Sequence, residues 1–149
     1  MKRIFIASDH AGFKLKQGLV ELLKEKGFEA VDLGVETDSE KVDYPEFAFK
    51  LGERVAKENG QGILVCGTGT GVAIAANKVK GIRAAQVYDV QSAKDAKIHN
   101  NANVITLGGY RFTPEKAWEL IDAWLAATFE NEERRVRRVR KIADYENRF

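Results

Sequence analysis

Five short apolar runs alternate along this chain with longer segments of helical periodicity, and this alternation constrains the fold more than any other feature. The runs lie within residues 3–7, 29–33, 62–66, 81–87 and 104–107. Because the segments between them are too long for hairpins, the predicted strands must run parallel in one sheet that is covered by helices on both faces. The sequence therefore predicts a doubly wound α/β fold with a five-stranded parallel sheet.

Residues typical of helix ends mark the segments between the strands. Gly27 follows a first segment in which leucines recur at helical spacing, and Pro45 suits the first turn of the second helix. Asp89 is placed to cap the fourth helix, and Thr113 precedes Pro114 at the start of the fifth. We expect one further helix, from about residue 132 to 147, after the sheet is complete.

The 149 residues predict one domain, 1–149, with a core of its own. The single cysteine excludes an internal disulfide, and no apolar leader or long apolar span is present. We therefore expect a cytoplasmic protein with no membrane association. The net charge is +2 and the basic residues concentrate at 134–141, which is weak support for nucleic-acid binding, so we expect no nucleic-acid partner.

A loop with glycines at positions 67, 69 and 71 follows the third strand directly after Cys66. Glycines allow positive φ angles and close backbone approach, so successive N–H groups can converge on an anion where the next helix begins. The same positive field favours a cysteine thiolate, which would place a base beside an oxyanion hole. Taken alone, the segment is also compatible with a tight turn in which Cys66 is simply a small buried hydrophobic residue.

Two common glycine-rich motifs do not fit this loop. A dinucleotide-binding fingerprint needs a third glycine three residues after the second, where this chain has Val72 or Ile74. A nucleoside-triphosphate loop ends in Gly-Lys-Ser or Gly-Lys-Thr, whereas Gly71 is followed by valine. Neither motif accounts for the loop.

Ligands of a doubly wound, Rossmann-like fold bind beyond the carboxyl ends of the strands. Asp9 and His10 follow the first strand and Cys66 follows the third, so we expect them at one edge of the sheet, on either side of a topological switch point. His99 ends a helix that runs back along the strands, which predicts that it lies at the opposite edge. It could join the site only from a second chain, and this suggests a symmetric dimer with shared active sites.

Six short motifs, each present once, follow one another along nearly the whole chain. They are Ser-Asp-His-Ala-Gly-Phe at 8–13, Asp-Tyr-Pro at 43–45, Cys-Gly-Thr-Gly-x-Gly at 66–71, Ala-Ala-Asn-Lys at 75–78, Gly-Ile-Arg-Ala at 81–84 and His-Asn-Asn-Ala-Asn-Val at 99–104. Each motif alone is weak, but the ordered set resembles type B ribose-5-phosphate isomerase. That family also includes galactose-6-phosphate and allose-6-phosphate isomerases.

The resemblance implies an aldose-ketose isomerase of the pentose phosphate pathway that interconverts ribose 5-phosphate and ribulose 5-phosphate through an enediol or enediolate, with no metal and no organic cofactor. It implies that Cys66 is the catalytic base and that His99 opens the furanose ring. It further implies a homodimer or a dimer of dimers. The residues that it implies for binding the sugar phosphate are Asp9, His10, Gly67, Thr68, Gly69, Thr70, Gly71, Asn100, Arg111, Arg134 and Arg138.

Two departures from the family pattern leave alternatives open. The Gly-Gly-Arg-His segment common before the last helix is replaced by Asn-Glu-Glu-Arg-Arg at 131–135, which puts two acids beside the implied phosphate clamp. The family's arginine after the fifth strand comes one place late, so either Arg111 reaches the phosphate or Tyr110 takes its position. The second departure keeps a hexose 6-phosphate isomerase as the alternative activity.

A binding module for a nucleotide or a phosphosugar is the non-enzymatic alternative. Asp89 lies about twenty residues beyond the glycine loop, as an acidic ribose ligand would.

In the last helix, Val136, Val139 and Ile142 form a stripe that we expect to be buried while the basic side chains face water. Two of those bases, Arg134 and Arg138, are four residues apart and could grip one phosphate.

Overall fold

The structure is a computed structural model that describes residues 1–149, and strands and helices alternate in it as predicted. The five strands are β1 (Arg3–Ser8), β2 (Glu29–Asp32), β3 (Gly62–Cys66), β4 (Ala84–Gln86) and β5 (Val104–Gly108). The six helices are α1 (Phe13–Glu25), α2 (Tyr44–Glu58), α3 (Thr70–Ala76), α4 (Val90–Asn100), α5 (Pro114–Ala126) and α6 (Glu133–Glu146). None of the helices combines the length and the apolar character that a membrane span requires.

All five strands are parallel and lie in the order β2-β1-β3-β5-β4, which confirms the doubly wound sheet. In this register Ser8 is opposite Val65, and Cys66 is opposite Gly108. The three central strands therefore end at the same level. Their following loops meet at one edge of the sheet.

Helices cover both faces of the sheet. One apolar cluster joins α1, α4 and α5 to the first face, with Leu19 and Trp124 completely buried. The indole N–H of Trp124 donates to the carbonyl of Ala102 at 3.0 Å, so its one polar group is satisfied inside the core. The second cluster joins α2 and α3 to the other face around Phe5 and Leu51.

The predicted helix signals act as expected. Gly27 follows α1 with a φ of +87°, and α2 has Pro45 in its first turn. The Asp89 carboxylate accepts from the N–H of Ser92 at 2.6 Å and caps α4, while the Thr113 hydroxyl caps α5. β3 has the predicted bounds, and β1, β2 and β5 each differ from the prediction by one residue at the carboxyl end. β4 occupies only three residues of the segment 81–87.

The burial predicted for the last helix is wrong within the single chain. No residue of α6 is buried, and Ile142 is 51% exposed. The reason is its position, since the N–H of Glu130 donates to the carbonyl of Ile98 just before α6, and the carboxylate of Glu146 accepts from the N–H of Gly81 at its end. The helix thus crosses the amino edge of the sheet, where its own chain covers the apolar stripe only in part: Val136 and Val139 are partly buried and Ile142 is exposed.

A buried lysine, which the sequence analysis did not single out, fastens the loop after β2 to α1. The side chain of Lys16 is 1% exposed, and its Nζ donates to both carboxylate oxygens of Asp32, at 2.8 and 2.6 Å, and to the carbonyl of Val35 at 2.8 Å. All three ammonium hydrogens therefore have acceptors. The ion pair compensates for the removal of the charge from water.

We expect Lys16→Met to destabilise the fold by about 2 kcal/mol, because it removes the partner of a half-buried carboxylate and of a buried carbonyl. Urea unfolding monitored by circular dichroism measures the change. Lys14→Met, an exposed position in the same helix, is the matched control and is expected to change the midpoint very little. Equal midpoints for the two variants would contradict the proposed role of the ion pair.

Candidate active site

The ends of β1 and β3 lie side by side at the centre of the carboxyl edge. From β1 the chain goes to β2 on one side and then to β3 on the other, so the connections leave this point in opposite directions. Such a switch point is where ligands of doubly wound folds bind. The N–H of Asp9 donates to the carbonyl of Val65 at 3.3 Å. The structure therefore brings the two predicted segments, after β1 and after β3, together.

The loop after β5 completes this edge. The N–H of Gly109 donates to the carbonyl of Cys66 at 2.7 Å, and a Cβ atom on Gly109 would lie 2.9 Å from the carbonyl oxygen of Ala11. A Cβ atom on Gly108 would lie 2.8 Å from the carbonyl oxygen of Thr68. Since only residues without side chains permit this approach, the three loops form one closely packed surface.

Cys66 ends β3 beneath this surface and is 5% exposed. Its Sγ accepts a hydrogen bond from the N–H of Gly69 at 3.1 Å. The next N–H, that of Thr70, lies 3.3 Å from the hydroxyl oxygen of Thr68. Amide donors in this position stabilise negative charge on the sulfur and on an oxyanion bound beside it. The Cys66 sulfur and the amide donors of the loop are thus adjacent.

The three glycines of the loop serve different purposes. Gly69 alone has a positive φ, +84°, whereas the other two provide space for aromatic rings. A Cβ atom on Gly67 would lie 2.4 Å from the Tyr110 ring, and one on Gly71 would lie 2.6 Å from the Tyr44 ring. Because α3 has only seven residues, we attribute the positive field to the loop amides rather than to a long helix dipole.

Asp9 and His10 have defined hydrogen bonds in the loop after β1. The buried Asp9 carboxylate accepts from the N–H of Gly12 at 2.9 Å, which fixes the turn into α1. Nδ1 of His10 accepts from the N–H of Val42 at 3.1 Å. A neutral imidazole that accepts at Nδ1 carries its proton on Nε2, so His10 presents a donor on its other side.

Tyr110, rather than Arg111, is the side chain that lines the glycine loop. Its ring packs against Gly67, and its N–H donates to the carbonyl of Gly67 at 3.1 Å. The ring is nevertheless 76% exposed, so it forms a wall at the mouth of the site. Arg111 follows on the surface, and its N–H donates to the carbonyl of Gly108 at 3.0 Å.

Four of the predicted site residues lie at the other edge of the same chain. His99 and Asn100 end α4 just before β5, whose first residue is level with the first residue of β3. Arg134 and Arg138 are exposed on α6, which crosses this same edge. The direction of α4 predicted this separation for His99. A single chain therefore does not bring these four residues to Cys66.

The two unexpected acids before α6 are engaged by neighbouring bases. The carboxylate of Glu132 lies 3.1 Å from Nε of Arg134, and the carboxylate of Glu133 binds Arg137 one turn along the helix. The arginine pairing holds the pKa of Glu133 below its usual value. Neither acid forms an ion pair with Arg138, so its guanidinium is not engaged by them.

Three side chains near the loop were assigned no site role by the sequence analysis, although Tyr44 belongs to its Asp-Tyr-Pro motif. Tyr44 packs on Gly71, and the side chains of Gln86 and Thr106 make hydrogen bonds to the loop backbone. For Gln86 and Thr106, the available signal was their position at the end of β4 and in β5, the strands beside the loop. It was not decisive, because which side chains face the loop depends on the register between strands that are distant in sequence.

Comparison with known proteins identifies the family of this chain. A model of the Ribose/Galactose Isomerase family matches residues 4–142. A probable ribose-5-phosphate isomerase B of Mycoplasma genitalium is 46% identical over 145 residues, which are 96% of this chain and 95% of that protein. A D-erythrulose-4-phosphate isomerase of Pectobacterium atrosepticum is 44% identical over 131 residues, 87% of this chain and 86% of that protein.

Solved structures agree with the fold. The crystal structure of ribose-5-phosphate isomerase B from Mycoplasma genitalium with bound ribulose-5-phosphate has a TM-score of 0.93 to this chain and is 45% identical. The match covers 99% of this chain and 97% of that one.

We expect Gly69→Ala to cost about 3 kcal/mol of stability, because it combines a left-handed backbone with a backbone clash. Its Cβ atom would lie 2.9 Å from the carbonyl carbon of Leu107. Gly27→Ala is the matched control, since Gly27 has a φ of +87° but nothing within 4 Å of its Cβ position. We expect about 1 kcal/mol there. Equal losses in urea unfolding would show that the loop tolerates the side chain.

Proposed function

Because the chain belongs to the Ribose/Galactose Isomerase family, we propose that it is an aldose-ketose isomerase that interconverts ribose 5-phosphate and ribulose 5-phosphate. The observation that carries the proposal is the hydrogen bond from the N–H of Gly69 to the Cys66 sulfur, at the switch point of the sheet. This arrangement suits a thiolate that acts as a carbon base. The activity belongs to carbohydrate metabolism, in the pentose phosphate pathway, and we propose a cytoplasmic location.

In the proposed reaction the Cys66 thiolate removes the proton from C2 of the open-chain aldose. The electrons of that C–H bond form the C1–C2 double bond, and the carbonyl O1 becomes the enediolate oxygen. The N–H groups of Gly69 and Thr70, with the Thr68 hydroxyl, stabilise that charge. The thiol then returns a proton to C1 while the O2 proton moves to O1, which leaves a ketone at C2. Low exposure of the sulfur helps to keep water out during the transfer.

The remaining groups would bind and open the cyclic sugar. We propose that the His99 imidazole accepts the proton of the O1 hydroxyl and supplies a proton to the ring oxygen, a role that suits its acid-base range. Asp9, His10 and Asn100 would bind hydroxyl or phosphate oxygens. Arg134 and Arg138 would grip the phosphate.

Such a site requires two copies of the chain, and we propose a homodimer or a dimer of dimers. The separation of His99 from Cys66 within one chain supports this, because a two-fold axis brings opposite edges of two subunits together. The exposed face of α6 gives independent support. Ile142 and Tyr145 are 51% and 60% exposed there, as expected for a surface that a second subunit covers.

A hexose 6-phosphate isomerase is the second candidate, and one observation favours it. Tyr110 lines the loop at the position where the family has an arginine, so the site could prefer a sugar of another length. A non-enzymatic nucleotide-binding module has less support. The Asp89 carboxylate that would bind a ribose is engaged by the N–H of Ser92 as a helix cap.

We expect ribose 5-phosphate to give the highest kcat/KM when it is assayed in parallel with allose 6-phosphate and galactose 6-phosphate. A chelator should not change the rates, and Cys66→Ala should fold normally and lose about a thousandfold in kcat. A preference for a six-carbon sugar would select the second candidate. An absence of turnover with all three sugars, together with tight NAD binding, would replace both activities by the binding module.

We expect a mixture of Cys66→Ala and His99→Asn chains, co-refolded from urea, to regain about a quarter of the wild-type activity, since half of the dimers are mixed and each has one intact site. Cys66→Ala mixed with Asp9→Asn is the control. Both of these changes lie at the same edge, so no intact site can form. Equal activity of the two mixtures would contradict shared sites.

A further inference from the structure

Two carbonyl groups of the glycine loop accept hydrogen bonds from side chains of neighbouring strands. Nε2 of Gln86, on β4, donates to the carbonyl of Thr68 at 3.0 Å. The hydroxyl of Thr106, on β5, donates to the carbonyl of Gly69 at 2.7 Å, and this bond is buried. The two carbonyls belong to successive peptide groups, the one that joins Thr68 to Gly69 and the one that joins Gly69 to Thr70.

The other ends of those same two peptide groups carry the N–H donors of the site. In a trans peptide the C=O and the N–H point in opposite directions, so fixing one fixes the other. The peptide held by Gln86 presents the N–H of Gly69 to the Cys66 sulfur. The peptide held by Thr106 presents the N–H of Thr70 beside the Thr68 hydroxyl.

The strand register makes this double contact possible. Gln86 is directly opposite Thr106 in the pairing of β4 with β5, and Thr106 is opposite Leu64 in the pairing of β5 with β3. The orientation of the Gln86 amide is determined as well, because a carbonyl can only accept. Its nitrogen must face the carbonyl of Thr68, which leaves Oε1 to accept from the hydroxyl of Thr70 at 3.2 Å.

We propose that Thr106 and Gln86 are positioning residues that aim two successive loop N–H groups at the Cys66 sulfur and at the developing enediolate. The role rests on the isomerase function proposed above. Neither side chain needs to touch the substrate. Each acts through a peptide group, and a free peptide at Gly69 could rotate, because glycine has a wide range of backbone angles.

Thr106→Val removes the hydroxyl and keeps the shape of the side chain, whereas Thr106→Ser keeps the hydroxyl. We expect the valine variant to lose about tenfold to a hundredfold in kcat with KM almost unchanged, because misdirected donors weaken the transition state more than substrate binding. The serine variant should recover most of that loss. A structural role alone would not produce this separation of kcat from KM with rescue by serine.

Gln86→Met tests the same idea at an exposed position, and it decides the question if Thr106→Val does not fold. We expect the same pattern there, a loss in kcat without a change in KM. Gln17→Met, an exposed position of α1, is the matched control for a glutamine replaced by methionine and should behave as wild type. Wild-type kcat in both Thr106→Val and Gln86→Met would overturn the proposal.

A second measurement does not depend on turnover. Cys66 is the only cysteine, so the ultraviolet absorbance of a thiolate, taken against Cys66→Ala, reports this one sulfur. At neutral pH we expect a smaller thiolate signal in Gln86→Met, which frees the peptide that presents the N–H of Gly69 to the sulfur, than in wild type or in Thr106→Val. If wild type has this signal and Gln86→Met lowers it, but wild type shows no isomerase activity, the proposed function fails and only the positioning of the Gly69 N–H at the sulfur stands. No thiolate signal in wild type, or equal signals in all variants, would overturn the positioning role.

Discussion

Backbone packing at the carboxyl edge is the constraint on which the rest of this structure depends. The loops after β1, β3 and β5 touch through glycines, and a single Cβ atom on Gly108 or Gly109 would lie within 3 Å of a neighbouring carbonyl oxygen. That closeness is available only because the three strands end level with one another. The sulfur of Cys66 therefore lies beside a main-chain donor, the N–H of Gly69, in a loop that these contacts hold in place.

The charged groups of the proposed site are divided between the two edges of the sheet. One edge holds Cys66, the amide donors, Asp9 and His10, and the other holds His99 and the arginines of α6. This division separates the group that would move the carbon-bound proton from the groups that would open the ring and hold the phosphate. Neither half is complete by itself. The exposed apolar side of α6 lies with the second half, so association of subunits and assembly of the site are the same event in the proposed dimer.

The order of elements, the parallel sheet and most helix ends could be predicted, because apolar periodicity and residues such as Gly27, Pro45 and Asp89 act locally. The edge of the sheet at which His99 lies could be predicted from the direction of α4 alone. Other features depended on contacts between distant parts of the chain. The burial of Lys16 against Asp32, the exposure of the α6 stripe, and the contacts of Thr106 and Gln86 with the loop require the register and the packing of whole elements.

The contact between Gly67 and the Tyr110 ring makes the two positions interdependent during evolution. A side chain at 67 would have to displace the exposed Tyr110 ring, so it fits more readily after Tyr110 has been replaced by a smaller or differently directed residue. The same order of events applies to Gly71 and Tyr44. We therefore expect substitutions at 67 and 110, and likewise at 71 and 44, to occur together in related sequences.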